Sequence, residues 1–172
     1  MLQILLLHVA AAIVGPIAVA RWGRRVFAIL ALAPASAVVW ALTQTSDVLA
    51  GRSPIVSTQW VALLDLEISF RLDTLSWFML LIVGSVGALV LFYCAWYFSS
   101  IASGLPRFAG VFVAFAGAML GLVTTDSTLM LYLCWELTTV FSYLLIGHYN
   151  ERKVSRRAAM QAILVTTFGG LA

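Results

Sequence analysis

A chain of 172 residues that is 63% hydrophobic and 10% charged is not a soluble globular domain, which would be about half apolar and a quarter charged. Its mean hydropathy of +1.04 predicts an all-α integral membrane protein, a single transmembrane domain over 1–172 with room for five or six spanning helices. The formal charge of +3 says less than the places where the charges fall.

The first predicted span runs from Leu2 to Ala20, with Pro16 near its inner end. No basic residues precede it, and Arg21-Trp-Gly-Arg-Arg25 follow it. That order fits a retained membrane helix, not a cleaved signal peptide. His8 titrates near neutrality and could relay protons. With no acidic neighbour in sequence, the preferred reading is a packed or interfacial histidine. The second span covers Val26 to Leu42, with Pro34 inside it as a bend.

The one long polar interval is Thr43 to Asp73. Its second half alternates between Val61 and Leu66 around a short acidic turn, then reads Glu67-Ile-Ser-Phe-Arg-Leu-Asp73. Period-two alternation of this kind predicts a β-hairpin between the second and third spans. Asp73 is placed to cap the third span by accepting from its first free N–H groups.

The third span runs from Leu75 to Phe98 and closes on the aromatic belt Trp96-Tyr-Phe98. A short loop with Gly104 and Pro106 leads to the fourth span, Phe108 to Thr124. Gly117 and Gly121 form a GxxxG pair there, which permits close helix contact but is a weak signal alone. The turn Thr124-Thr-Asp-Ser-Thr128 requires a tight antiparallel connection, with Asp126 or Ser127 as the expected cap of the fifth span. A sixth span starts near Ala158 and is still running at Ala172. The expectation is therefore an N-terminal piece of a larger subunit. Cys94 and Cys134 both lie in apolar runs, far from any second soft ligand. They read as packing residues, and no metal or cofactor is expected.

The fifth span, Leu129 to Ile146, carries Glu136 at its centre. At ~1.5 Å per residue the acid lies ~15 Å from either end, close to the midplane of a ~30 Å hydrocarbon core. A charge there costs at least ~2.5 kcal/mol, so the group needs a proton, a cationic partner or water. Tyr132, Leu133, Thr139, Val140 and Tyr143 share its helical face. Two phenols and a hydroxyl on that stripe could hold water or pass protons, and His148 at the end of the run is a further candidate. The bland alternative is that they satisfy one structural acid. The sole lysine, Lys153, lies in a loop, so no lysine in these residues can balance Glu136 within the membrane.

With alternating spans, one side of the membrane receives Arg21, Arg24, Arg25, Arg107, Arg152, Lys153, Arg156 and Arg157, while the other receives Arg52 and Arg71. Basic short loops favour the cytoplasm, which puts the N-terminus and the hairpin outside a cell membrane.

Three stretches, Phe70-Arg-Leu-Asp-Thr-Leu-Ser76, Leu131-Tyr-Leu-Cys-Trp-Glu-Leu-Thr-Thr139 and Ser142-Tyr-Leu-Leu-Ile-Gly-His-Tyr149, resemble the antiporter-like membrane subunits. That group comprises the large proton-pumping subunits of respiratory complex I and the Mrp-type multisubunit Na⁺/H⁺ antiporters. The resemblance is strong over Phe70 to Ala172 and rests on pattern alone in the first two spans. Trp135-Glu-Leu-Thr and Thr166-Thr-Phe-Gly-Gly-Leu171 look most like the A-type subunit of the Mrp antiporters. The complex I subunit commonly has Trp-Glu-Gly-Val-Gly and Gly-Asp at these places. Thr74 departs from the usual Asp-Gly, at a position that only opens a helix.

The resemblance implies that Glu136 corresponds to the family's essential fifth-helix glutamate, paired with a lysine on a broken seventh helix outside this segment. It implies Na⁺/H⁺ antiport within a hetero-oligomeric membrane complex, with other subunits, ions and the lipid bilayer as partners and no nucleic acid. The alternatives are a proton-pumping subunit of an NADH:quinone oxidoreductase and a structural scaffold.

Overall fold

Residues 2–22 are almost wholly apolar, so the backbone has no competitor for its own hydrogen bonds and coils into α1, Leu2–Trp22, straight through Pro16. Gly23, at φ 73°, adopts a left-handed conformation open to glycine and starts the single 3-10 turn Gly23–Arg25. The chain folds back there, bringing Leu30 against Gly15. The expected second span arrives in two pieces, α2 (Val26–Leu30) and α3 (Leu32–Thr43). Pro34 lacks the N–H that would bond to the Leu30 carbonyl, so the break falls one turn before it.

The computed structural model describes residues 1–61, 66–99, 102–149 and 151–171. The polar interval begins with a short helix that sequence reading did not expect, α4 (Thr45–Leu49). Strands β1 (Ile55–Val61) and β2 (Leu66–Arg71) pair antiparallel, with Ile55 opposite Arg71 and Gln59 opposite Glu67. The acidic turn and most of the alternation on which the hairpin reading rested fall on 62–65, outside the described residues.

Three long helices follow: α5 (Thr74–Tyr97), α6 (Leu105–Thr124) and α7 (Thr128–Ile146). Asp73 caps α5 as expected, its carboxylate accepting from the Ser76 N–H at 2.8 Å. The hydrogen bonds hold the Asp73 carboxyl below the usual range. The cap of α7 differs from expectation. Ser127 occupies the N-cap position without a side-chain bond, and Asp126 instead holds Arg71 at 2.8 Å. Thr125 takes over nearby, its hydroxyl accepting from the Ser127 N–H and lying 3.2 Å from the Ser69 carbonyl. The last helix, α8 (Lys153–Leu171), begins five residues ahead of the expected Ala158.

Close approach between helices is made by glycines. A Cβ at Gly110 would sit 2.6 Å from Pro16 and 2.8 Å from the Ala12 carbonyl oxygen, and one at Gly117 would sit 2.8 Å from His8 Cβ, so α6 lies tight and antiparallel on α1. Gly121 faces Cys134 of α7, while Gly84 and Gly87 let α5 press on Val38 and Pro34 of α3. The weak GxxxG signal is thus used, with its two glycines serving different neighbours.

Two apolar clusters fill the interior. One joins Val19, Phe27, Leu91, Phe98, Leu105 and Val113, and the other joins Ile4, Ala37, Ala41, Leu72, Leu80 and Leu120. Among the described residues, four helical stretches are long and apolar enough to cross a membrane: Leu2–Thr43, Thr74–Tyr97, Leu105–Thr124 and Thr128–Ile146. The first is 42 residues long and doubles back at Gly23. With its charged start, α8 does not meet the same measure.

Candidate functional site: the mid-membrane face of α7

Glu136 is the eighth residue after Thr128 in α7, which puts it ~12 Å along the helix from that end. Its neighbours Trp135 and Leu137 are large and apolar, so local sequence continues the helix and carries the carboxyl to its middle. The side chain is half-buried, and its Oε1 is buried without a hydrogen-bond partner among the described residues. A buried carboxyl oxygen left so is costly unless protonated or supplied with a donor.

Of the residues read from sequence, Thr139 is buried on the same stripe, Tyr143 is half-buried, and Tyr132 is 42% exposed. None of them hydrogen-bonds Glu136 among the described residues. The flanking Trp135 turns towards α8, where a Cβ on Gly170 would meet its indole Nε1 at 2.5 Å. Tyr132, Leu133 and Val140 on the α7 face bearing Glu136 are left exposed by the described residues.

His148 is not brought to Glu136. It lies past the far end of α7, its ring 5.1 Å from Phe108 and 4.8 Å from Tyr149, and it covers Gly104, the left-handed residue that opens α6. Burial and then the Arg107 guanidinium hold its pKa below the ordinary value. That environment joins two helix ends and makes no link to the mid-membrane acid.

His8 is a packed histidine, the reading preferred from sequence, and packs against Gly117 of α6. It is 1% exposed, its Nδ1 lies 2.8 Å from the Ile4 carbonyl, and its Nε2 is buried without a partner among the described residues. It lines a cleft of about 360 Å³ between α1, α6 and the Met130, Cys134, Leu137 and Phe141 face of α7. By helical spacing that face differs from the Glu136 stripe. No pattern in the sequence signalled that α6 would close over His8. No cluster of metal-ligating side chains occurs among the described residues.

Comparison with known proteins decides the family. Residues 59–109 match the family described as NADH-ubiquinone oxidoreductase (complex I), chain 5 N-terminus, and residues 125–172 match NADH:quinone oxidoreductase/Mrp antiporter, TM. A protein of Staphylococcus saprophyticus provisionally named antiporter subunit mnhA2 is 41% identical over 141 residues, 82% of this chain and 18% of the relative. A Staphylococcus aureus protein of the same name is 40% identical over 140 residues, 81% of this chain and 18% of the relative. The solved Mrp complex from Dietzia sp. superposes with a TM-score of 0.82 at 30% identity, covering 98% of this chain and 18% of that one. The chain belongs to the family of A-type Mrp antiporter subunits. It spans 18% of the length of the relatives it matches and is a multi-pass membrane protein. A membrane-bound sulfane sulfur reductase, an archaeal respiratory membrane complex, shares the fold with a TM-score of 0.76 at 18% identity, covering 97% of this chain and 34% of that one.

Proposed function

We propose that this chain belongs to a secondary transporter exchanging a monovalent cation, Na⁺, for protons within a multisubunit membrane complex. Glu136 takes up and releases the proton. The observation that carries the reading is the buried Oε1 of Glu136, without a hydrogen-bond partner among the described residues, midway along an apolar helix. A carboxyl so placed calls for a donor or a cationic partner, and a movable cationic partner could supply one in turn with a proton. Tyr132, Thr139 and Tyr143 support this by lining the same stripe, where water could be held, while His148 stands apart at the end of the helix. The names of the relatives, antiporter subunits, support the reaction class.

In the membrane we read α1, α2–α3, α5, α6 and α7 as five crossings and α8 as the start of a sixth. The paired strands and the N-terminus then face outwards and the basic loops face the cytoplasm. A second reading has its own support, since both matched family descriptions name the NADH:quinone or NADH-ubiquinone oxidoreductase. In that case the same acid serves a redox-driven pump whose electron transfer occurs in other chains. Na⁺-dependent exchange in vesicles without NADH separates the two.

The test uses the full assembled complex in vesicles, with ΔpH relaxation on Na⁺ addition as the readout. Glu136→Gln preserves size and removes titration, so assembly should survive and exchange collapse. Glu136→Asp should keep part of it, and Asp126→Asn or His148→Gln should do less harm than Glu136→Gln. Near-normal exchange by an assembled Glu136→Gln complex would leave the acid a structural group.

A further inference from the structure

The basic end of the molecule holds a site that the antiport reading does not use. Where the 3-10 turn Gly23–Arg25 meets the last turn of α5, Arg24, Arg25, Ala28, Ala95 and Trp96 enclose a pocket of about 410 Å³. Ligand sites commonly measure ~300–1,000 Å³. Arg24 is held in place from behind: its Nη1 donates to the carbonyls of Trp96, at 3.3 Å, and Phe98. Those carbonyls end α5, and this leaves Nε and Nη2 of the guanidinium without an acceptor among the described residues. Arg25 has no hydrogen bond or ion pair among them at all. Two arginines lining one pocket, one of them anchored, suit the oxygens of a phosphate.

The charge distribution points the same way. At the opposite end each arginine has its own carboxylate, Arg52 with Asp47 and Arg71 with Asp126. The pocket's end carries eight of the ten basic residues, and Glu151 is the acid in its loops. A phosphate ligand would supply counter-charge to the two guanidiniums that line the pocket. Trp96, 61% exposed and 4.6 Å from the ring of Phe92, stands at the mouth, and Ile29, Leu89 and Phe92 expose an apolar surface running from there towards mid-membrane. An indole at headgroup level over an acyl-compatible wall is what an amphiphile meets at the interface.

We infer that this pocket binds the phosphate of an anionic phospholipid headgroup, with Arg24 and Arg25 on the phosphate oxygens and the acyl chains along α2 and α5. A soluble phosphate would need the two arginines and not the wall, and this distinguishes the sources. Basic pockets between membrane helices on the cytoplasmic side are suited to such lipids.

The experiment uses the detergent-solubilised full complex, delipidated and titrated with phosphatidylglycerol, phosphatidylcholine or inorganic phosphate. Thermal stability is the readout, and Arg25→Gln is compared with Arg107→Gln, an equal charge loss outside the pocket. Phosphatidylglycerol should raise the melting temperature saturably, and Arg25→Gln should raise the half-saturating concentration about tenfold, as fits loss of one charge-assisted contact. Arg107→Gln should leave it within about twofold. A photoactivatable phosphatidylglycerol should label peptides containing Ala28 or Trp96 in the parent protein and less in Arg25→Gln. If Arg25→Gln does not assemble, Arg25→Lys replaces it, and weakened labelling is still expected because Lys is not bidentate. Equal effects of the two arginine variants, equal action by phosphatidylcholine, full reproduction by inorganic phosphate, or labelling confined to other peptides would each overturn the inference.

Discussion

His148 packs between the start of α6 and the end of α7, against Phe98, Phe108 and Tyr149. Its pKa is depressed in the folded protein, first by burial and then by Arg107. The unfolded chain, at about 6.5, therefore takes up the proton more readily than the folded one. Its contribution to stability is complete above about pH 6.5 and is lost as pH falls through the lower folded value. Melting temperature measured from pH 7.5 to pH 5 should drop on the acid side, and His148→Phe, which keeps a ring among the rings, should flatten that limb. An unchanged acid limb would remove the histidine from the account. The same scale shows how residue type and surroundings part company. The sequence displays Glu136 as an acid in an apolar run, but only the packing of α7 reveals that Oε1 is buried and has no hydrogen-bond partner among the described residues. His148, grouped with that acid by sequence, lies past the end of the helix.

Helix pairing depends on glycine contacts that leave no slack. At Gly110 a methyl group would run into Pro16 and the Ala12 carbonyl of α1, neither of which can swing away. Gly110→Ala should cost about 1–3 kcal/mol, the usual range for overpacking, and appear as a lower yield of assembled complex. Gly169 of α8 has nothing within 4 Å of its would-be Cβ, so Gly169→Ala should be neutral or gain up to about 1 kcal/mol from helix propensity. Thermal melts of both variants decide it, and equal behaviour would refute the packing argument. Phe98 makes a related point: read as part of an exposed aromatic belt, it is 6% exposed and joins Phe27 and Phe108, while Trp96 and Tyr97 remain outside. A belt shares a membrane depth, but helix rotation distributes its members between lipid and core.

Across the whole molecule, the two ends differ in how charge is handled. The basic loops gather at one end, where Arg24 reaches the close of α5 and His148 the start of α6. The paired strands, the Arg71–Asp126 bridge and the start of α1 occupy the other, tied by the Asp126 N–H to the Ser69 carbonyl. The orientation proposed for these ends can be tested by side-specific labelling. Cys94 and Cys134 are buried, and neither should compete for reagent. Gln59→Cys should react with an impermeant maleimide on intact cells, and Arg152→Cys only after permeabilisation. The reverse pattern would turn the molecule over and take the basic pocket to the outer leaflet.

Hydropathy, the Asp73 cap and the division of basic residues were legible in the sequence because each follows from residue type and position along one helix. Apolar runs must satisfy their backbone groups internally in lipid, so their extent can be read without knowing any neighbour. The tertiary structure decided what depends on rotation and contact. It set the break before Pro34, the use of Gly117 and Gly121 on different partners, the burial of His8, the Thr125 hydroxyl in place of a Ser127 or Asp126 cap, and the junction of Arg24 with α5. These all turn on which side of a helix meets which other helix. In a segment apolar on every face, no hydrophobic stripe announces that choice. It is made by small residues, carbonyl oxygens and single polar atoms, whose partners are visible only once the helices are side by side.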